Sequence, residues 1–384
     1  MQIEKILNEL LDRRQNEGNL RNLLVRKNLI DFTSNDYLGL SRSKELLNKV
    51  DKDYQNNEIH CLGATGSRLL SGNSEYIEKL ELYLGDFWGD EALIFNSGYD
   101  ANLGIFSSVP KKGDVLIMDE FIHACIIDGA RLSGAFRERF KHNNLDSLKE
   151  KLTLASKNQG NIFVAIESLY SMDGDFAPLT EMAILCEEFG ANLIVDEAHS
   201  TGIYGLSGKG RISELGLEKK VFARIFTFGK ALGVHGAVII GKPFLKNYLI
   251  NFARTFIYTT ALPLHSLVSI SSAWQFLRDN HDIAIHLMKN IRLFQKNLDL
   301  EIPILRTNPD FPVAPIQALK IKGNLEAKQF ANHLVKLGFD IRPILFPSVA
   351  KGEERVRICL HSFNSNEEIL KLTSEINKIY PKFI

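Results

Sequence analysis

The chain has 384 residues, 45% of them hydrophobic, which suits a large domain with a buried core and a smaller second domain. Its 46 basic and 46 acidic residues give no net charge, so the composition favours neither a nucleic-acid nor a membrane-surface partner. Apolar runs are shorter than a membrane span, and Glu4 and Glu9 interrupt the apolar N-terminus, so we expect no secretory signal. Four cysteines without CxxC spacing predict reduced thiols in a cytoplasmic protein rather than a disulfide or metal framework.

The N-terminal segment, residues 1–45, is predicted to form an arm that begins with a helix. Apolar side chains recur at helical spacing over residues 1–15, so this helix should pack on its own domain or on a second subunit. Arg13, Arg14 and Arg21 follow these positions. They are either a solvated basic face or a contact for an anionic substrate group.

Two polar segments follow the arm. Residues 30–40 read as a short strand that breaks into a turn of Ser, Asn, Asp and Gly, and this turn contains Asn35. Residues 63–72 are rich in Gly and hydroxyl groups but match neither the Walker A pattern nor GxGxxG, so they are weak evidence alone. A helix with an apolar face is predicted over residues 73–88.

A candidate anion site follows the predicted strand 91–95. Ser97, Gly98 and Tyr99 stand where that strand turns into a helix, and N–H groups at a helix N-terminus bind phosphate. A simple Ser/Gly helix cap is the alternative. His123 follows the next predicted strand, 114–118, where it caps a helix or stacks on a planar ring. The strand 161–167 leads in the same way into a loop that contains Ser171.

Two further apolar runs each lead to a reactive residue. Residues 192–196 end on Asp196, with His199 close behind, and residues 221–228 lead to Lys230. Buried strands of a parallel sheet bind ligands at their carboxyl ends, so these three residues should converge on one crevice. A lysine in apolar surroundings forms Schiff bases, and a nearby aspartate is the partner that a pyridinium nitrogen needs. The combination suggests pyridoxal phosphate (PLP), although each residue alone also fits a surface lysine or a capping aspartate.

The order of the elements predicts the fold class. Strands and helices alternate from about residue 90 to 240, which indicates a parallel, doubly wound α/β sheet in a large domain at 46–274. Beyond that, helices near 281–298 and 326–338 flank short strands near 314–321 and 355–359. They predict a smaller α+β domain at 275–384.

Together the motifs resemble those of a known enzyme family, over roughly residues 30–362. In chain order they are FTSNDYLGL, GATGSRLLSGN, FNSGYDAN, FIHACIIDG, ESLYSMDGD, VDEAHSTG, TFGKALG and FIYTTALP. This order resembles the α-oxoamine synthases, PLP-dependent transferases of the aspartate-aminotransferase fold (fold type I). The resemblance implies a mostly parallel, seven-stranded sheet.

The resemblance also implies a role for each matching position. Lys230 would hold PLP covalently, and Asp196 would keep the pyridine nitrogen protonated. His123 would stack on the ring, while His199 and Ser171 would contact its phenolic oxygen. The groups expected to bind the phosphate are Ser97, Gly98, Tyr99 and Thr227, with Thr259 or Thr260 from a second subunit. The family therefore implies a homodimer with the site at the subunit interface.

On the substrate side, the resemblance implies that Arg357 binds a carboxylate and that Asn35 lines the site. Arg21, from the basic N-terminal segment, is a further candidate contact for an anionic substrate group. The motifs VDEAHSTG and SMDGD match best the branch that condenses L-alanine with pimeloyl-CoA, or a pimeloyl-carrier protein, to 8-amino-7-oxononanoate in biotin biosynthesis. His235 and Ala350 depart from the family pattern.

Three other functions stay open. A related synthase could use glycine or L-serine with another acyl-CoA, an aminotransferase could share the fold, and a PLP-binding scaffold protein could lack activity.

Overall fold

The structure is a computed structural model that describes residues 2–25, 27–304 and 312–383. Within them the helices are α1 (Gln2–Asn16), α2 (Lys44–Gln55), α3 (Glu75–Trp88), α4 (Gly98–Ser108), α5 (Ala124–Ser133), α6 (Leu145–Ala155), α7 (Leu179–Glu188), α8 (Arg211–Glu214), α9 (Pro243–Phe252), α10 (Arg254–Ile257), α11 (Leu264–Asp279), α12 (Asp282–Asn297), α13 (Asn324–Lys336) and α14 (Asn366–Ile379). The strands are β1 (Ile30–Asp31), β2 (Glu91–Phe95), β3 (Val115–Asp119), β4 (Phe136–Phe140), β5 (Ile162–Glu167), β6 (Asn192–Asp196), β7 (Ala223–Thr227), β8 (Ala237–Gly241), β9 (Ile316–Lys320), β10 (Phe339–Asp340), β11 (Arg342–Ile344) and β12 (Arg355–Cys359).

The chain divides into two compact units. The large unit comprises residues 38–171 and 176–284, and the small unit comprises residues 1–37, 172–175 and 285–384. The domain boundaries proposed from the sequence, after residues 45 and 274, stay a prediction.

The large unit is built on a seven-stranded sheet with the strand order β2-β8-β7-β6-β5-β3-β4. Strand β8 runs antiparallel to its neighbours β2 and β7, and the remaining neighbours pair in parallel. The expected mostly parallel, seven-stranded α/β sheet is therefore confirmed. Every residue of β3, β5 and β7 is buried, as the continuous apolar runs predicted.

Both faces of this sheet are covered, which is the layering of a doubly wound fold. In β3, Leu116 and Met118 belong to the core on one face, which includes residues of α4, α5 and α9. Val115 and Ile117 belong to the core on the other face, with residues of α6 and α7. Alternate side chains of one strand thus supply two cores, because successive side chains point to opposite faces.

Two local details differ from the sequence interpretation. Strand β4, with the sequence FRERF, was not predicted, because its charged and mostly accessible side chains are typical of a sheet edge rather than a core strand. The sequence of residues 180–190 predicts a helix that Thr180 caps, and this capping is wrong. Helix α7 begins at Leu179 directly after Pro178, and Thr180 lies inside its first turn.

The small unit contains the antiparallel sheet β11-β12-β9 and a parallel pair of β1 with β10. Main-chain bonds from Cys359 to Phe32 and from Ser362 to Tyr37 hold the segment after β1 against the end of β12. No described residue of α1 is buried, so the apolar face of this helix does not pack on its own domain. Its packing on a second subunit stays a prediction.

The turn after β7 carries Lys230 and depends on a glycine. Gly233 donates its N–H to the Lys230 carbonyl and has a φ of 66°, and a Cβ there would lie 2.2 Å from the main-chain nitrogen of Ser41. Gly216 has nearly the same φ, 65°, but a Cβ there would meet nothing within 4 Å.

We therefore expect Gly233→Ala to destabilise the protein more than Gly216→Ala. Both substitutions carry the strain of a left-handed alanine, about 1–2 kcal/mol. The steric clash at Gly233 adds about 1–3 kcal/mol. Urea unfolding of the two variants measures the difference, and equal losses would contradict the packing of Gly233 against Ser41.

Candidate active site

Lys230 and His199 are brought together by neighbouring strands. Strand β7 ends at Thr227, and main-chain bonds from Phe228 to Gly236 and from Val234 to Phe228 close the turn that follows. The Lys230 Nζ lies 3.0 Å from the Nε2 of His199, which is itself buried three residues beyond β6. The sequence-predicted convergence of these two residues is thus present in the large unit.

Asp196 is the last residue of β6, and its side chain is 6% exposed. One carboxylate oxygen, Oδ2, accepts a hydrogen bond from the Nδ2 of Asn102 at 2.7 Å. The other, Oδ1, accepts from the Ala198 N–H at 2.8 Å. These bonds fix the carboxylate in orientation and compensate part of the cost of burying its charge.

Glu167 is a second carboxyl group at this edge of the sheet. It ends β5, pairs in register with Asp196, and is buried. Burial, and next the charge of Asp196, raise the pKa of Glu167 to about 8. Its Oε1 is buried without a hydrogen-bond partner among the described residues. The raised pKa favours the neutral form of Glu167 beside a carboxylate that is held by two donors.

His123 is the N-cap of α5, so the capping prediction is met, and its Nδ1 accepts from the Cys125 N–H at 3.3 Å. The surrounding protein partly desolvates the imidazole and lowers its pKa. Asp196 acts in the opposite direction and Lys230 in the same direction, which puts all three groups within electrostatic reach of one another.

The candidate phosphate cradle lies at the start of α4. Ser97 caps the helix, and its Oγ accepts the Asp100 N–H at 3.1 Å. A Cβ on Gly98 would lie 3.3 Å from Thr227, so glycine keeps the space between helix and strand open. Tyr99 is exposed, and its hydroxyl donates to Asp128 at 2.8 Å.

Three further residues that were predicted to contact the cofactor lie outside this cradle. Asn96 donates to the hydroxyl of Thr259 at 3.1 Å and to the carbonyl of Thr260 at 2.8 Å, so both threonines lie next to the cradle of their own chain. Their reach into a partner subunit stays a prediction. Ser171 is half-buried in the loop that follows β5.

The small unit holds its own polar cluster. The Nη2 of Arg357 donates to Asn35 Oδ1 at 2.8 Å and to the Tyr37 hydroxyl at 3.2 Å. Its Nε is buried with no hydrogen-bond partner among the described residues. Arg21 is exposed and donates to the Ser348 hydroxyl at 3.0 Å.

Comparison with known proteins identifies the family. The family model for class I and II aminotransferases matches residues 27–376. An 8-amino-7-oxononanoate synthase from Emericella nidulans is 38% identical, over 94% of this chain and 92% of its own. The chain belongs to the α-oxoamine synthase family.

Two solved structures agree with this assignment. The 8-amino-7-oxononanoate synthase of Francisella tularensis is 29% identical, with a TM-score of 0.78 over 94% of this chain and all of that one (100%). A serine palmitoyltransferase (SPT) with a PLP internal aldimine is 26% identical, with a TM-score of 0.85 over 92% of this chain and 88% of that chain. PLP as cofactor and fold type I are confirmed for this α-oxoamine synthase.

The residues of this α-oxoamine synthase fit PLP chemically. Lys230 would supply an amine for the cofactor's aldehyde, and Asp196 would supply a buried, oriented carboxylate for a protonated ring nitrogen. The start of α4 would supply main-chain N–H groups for the phosphate, and the missing Cβ of Gly98 leaves room beside Thr227. The described residues contain neither a cluster of potential metal ligands nor a helix long and apolar enough to cross a membrane.

Three residues of the site of this α-oxoamine synthase were missed in the sequence. Asn102, Cys125 and Glu167 lie inside the quoted motifs but received no role. The spacing of Asn102, four residues after Gly98, was a usable signal, since positions i and i+4 share a helix face. The contacts of Cys125 and Glu167 depend on main-chain geometry and burial, which spacing does not reveal.

The raised pKa of Glu167 predicts a pH-dependent stability of the PLP-free protein. Between an unfolded pKa near 4.5 and a folded pKa of about 8, the folded state keeps a proton that the unfolded state releases. The free energy of unfolding therefore falls as pH rises through this window, by up to about 1.4 kcal/mol per pH unit. Glu167→Gln removes the titrating group. The free energy of unfolding of this variant, measured relative to that of the native protein, should therefore increase from pH 5 to pH 8.

Urea unfolding at several pH values measures this difference. Glu188→Gln, which changes an exposed glutamate on α7, is the control and should follow the native curve at a constant offset. A constant offset for Glu167→Gln as well would show that Glu167 is already ionised in the folded protein.

Proposed function

We propose that this chain catalyses the PLP-dependent decarboxylative condensation of L-alanine with a pimeloyl thioester. The products are 8-amino-7-oxononanoate, CO2 and the free thiol of CoA or of a carrier protein. The observation that carries the proposal is the pairing of Lys230 Nζ with His199 Nε2 beside the buried carboxylate of Asp196. The name of the Emericella nidulans relative supports the choice of substrates.

Each residue has a defined task in this proposal. PLP, when bound, supplies an electron sink that stabilises negative charge at the amino acid's Cα. Lys230 would hold the cofactor and, as a free amine, would take the Cα proton on Nζ. Asp196 would keep a proton on the ring nitrogen, and His199 and Ser171 would donate to the phenolic oxygen. His123 would orient the ring by stacking on its face.

Binding of the substrates uses further groups. Arg357 binds a substrate carboxylate through its planar guanidinium, and its unpartnered Nε supports this role. Asn35, bonded to the same guanidinium, keeps it in place. Arg21 is a weaker candidate for an anionic substrate group. Ser97, Gly98, Tyr99 and Thr227 bind the phosphate, with Thr259 or Thr260 from the second subunit of a homodimer in the cytoplasm.

A related reaction is the second candidate. A serine palmitoyltransferase of Sphingomonas wittichii is 28% identical and superposes on this chain with a TM-score of 0.85, which leaves open a synthase that uses L-serine, or glycine, with another acyl-CoA. The groups that handle PLP are compatible with each of these amino acids, so only substrates distinguish the two candidates.

The distinguishing experiment follows the visible absorbance of the PLP-loaded protein while L-alanine, glycine and L-serine are added in turn, and then pimeloyl-CoA. We expect L-alanine to change the spectrum and pimeloyl-CoA then to release CoA and CO2. If glycine or L-serine gives the strong response and pimeloyl-CoA releases nothing, the substrate assignment is wrong and the second candidate takes its place.

Substitution of Lys230 tests the proposed chemistry separately. Lys230→Ala should abolish the absorbance of lysine-bound PLP and lower turnover by at least about a thousandfold, because the base and the covalent attachment are lost together. Lys242→Ala is the matched control, since Lys242 also follows a strand of the same sheet but is exposed and paired with Asp90. Turnover that survives in Lys230→Ala removes this lysine from the reaction.

A further inference from the structure

Cys125 contacts the ring of His123 through two groups. The Sγ of Cys125 lies 2.9 Å from the Nδ1 of His123, and the Cys125 N–H donates to the same nitrogen at 3.3 Å. Cys125 is the second residue of α5, and its side chain is 2% exposed. The thiol is therefore part of the packed core and points at the ring nitrogen of the capping histidine.

These contacts select one form of the imidazole. A main-chain N–H can only donate, so the Nδ1 it contacts must carry a lone pair, and the proton of a neutral ring lies on Nε2. Burial, and next the charge of Asp196, raise the pKa of the Cys125 thiol, which keeps its hydrogen on sulfur. The thiol can then donate to Nδ1 and reinforce the same tautomer.

The main chain of His123 lies close to a second element. Its N–H acts to lower the pKa of Glu167, at the end of β5, which places the two groups near each other. The backbone of His123 thus lies near β5, while its ring contacts α5. The side chain of His123 has two rotatable dihedral angles, and the contact of its ring with Cys125 restricts both of them.

The charged groups around His123 bear on its ionisation. Asp196, at the end of β6, favours the imidazolium, whereas Lys230, after β7, and the loss of solvent oppose it. Glu167 on β5 contributes little charge while it is protonated. A neutral imidazole suits a place next to a ring that carries a protonated nitrogen, because an imidazolium there would repel it.

We propose that Cys125 is a positioning residue that holds His123 as the neutral, Nε2-protonated tautomer, oriented to stack on PLP. The inference rests on the proposed role of His123. It is independent of which amino acid and which thioester react.

The test compares Cys125→Ala, which removes the side-chain donor, with Cys125→Ser, which keeps a donor of similar size. Cys186→Ala is the control for loss of a buried thiol, since Cys186 lies in the core on the opposite face of the sheet. The first readout is the 15N NMR titration of histidine-labelled protein, with the His123 signal identified by its absence in His123→Asn. The second readout is the dissociation constant of PLP, measured by absorbance.

In Cys125→Ala we expect the His123 pKa to rise by about half a unit, the Nε2-protonated form to become less populated, and PLP to bind about three- to tenfold more weakly. Cys125→Ser should restore both values, and Cys186→Ala should change neither. An unchanged His123 signal in Cys125→Ala, or an equal loss of PLP affinity in Cys186→Ala, overturns the proposal. A changed His123 signal with unchanged PLP affinity also overturns it, since positioning would then not serve the cofactor. A failure of L-alanine as substrate affects neither readout.

Discussion

The buried carboxylate of Asp196 is the constraint on which the rest of the site depends. An ionised carboxylate removed from water is costly unless donors and an opposite charge compensate it. Asn102 and the Ala198 N–H supply two donors, and in the proposed site a protonated pyridine nitrogen would supply a third donor together with a positive charge. Because α4 carries Asn102 and is capped by Ser97, the helix that orients the carboxylate is also the one whose N-terminus we propose for the phosphate. One helix would thus couple the two ends of the cofactor.

Two titratable groups near Asp196, Glu167 and His123, limit the net charge at the end of β6. Glu167 and Asp196 end adjacent parallel strands in register, and two ionised carboxylates at that separation would repel each other. The raised pKa of Glu167 favours its neutral form and so relieves this repulsion. The lowered pKa of His123 similarly favours a neutral imidazole. In the proposed site the nitrogen of PLP would then be the cation that pairs with Asp196.

The parts of this site that follow strand ends could be predicted from sequence, and the parts that depend on packing could not. Continuous apolar runs revealed β5, β6 and β7, and the positions of Asp196, His199 and Lys230 followed from the geometry of parallel strands. The edge strand β4 stayed hidden because its alternating charges resemble a loop. Glu167 received no role, since a carboxylate at a strand end is ordinarily ionised and only its burial beside Asp196 reverses that expectation. The assignment of PLP needed the ordered set of motifs, because each residue alone has a common structural explanation.

Substrate choice must come from groups other than those that handle the cofactor. In the proposed reaction Lys230 takes the Cα proton, which L-alanine, glycine and L-serine all have, while Asp196 and His199 act on the cofactor ring. These amino acids differ by a methyl or hydroxymethyl group, and a pocket separates substrates that differ by one methylene by only about 10- to 200-fold. A site that hydrogen-bonds a hydroxyl group discriminates far more strongly against a substrate that lacks it. A preference for L-serine would thus require a dedicated donor or acceptor near Cα, whereas L-alanine requires only an apolar contact of the right size. His235 is an exposed polar side chain of the large unit, five residues after Lys230, at a position where the family resemblance predicts a small residue. It is the first candidate for such a contact.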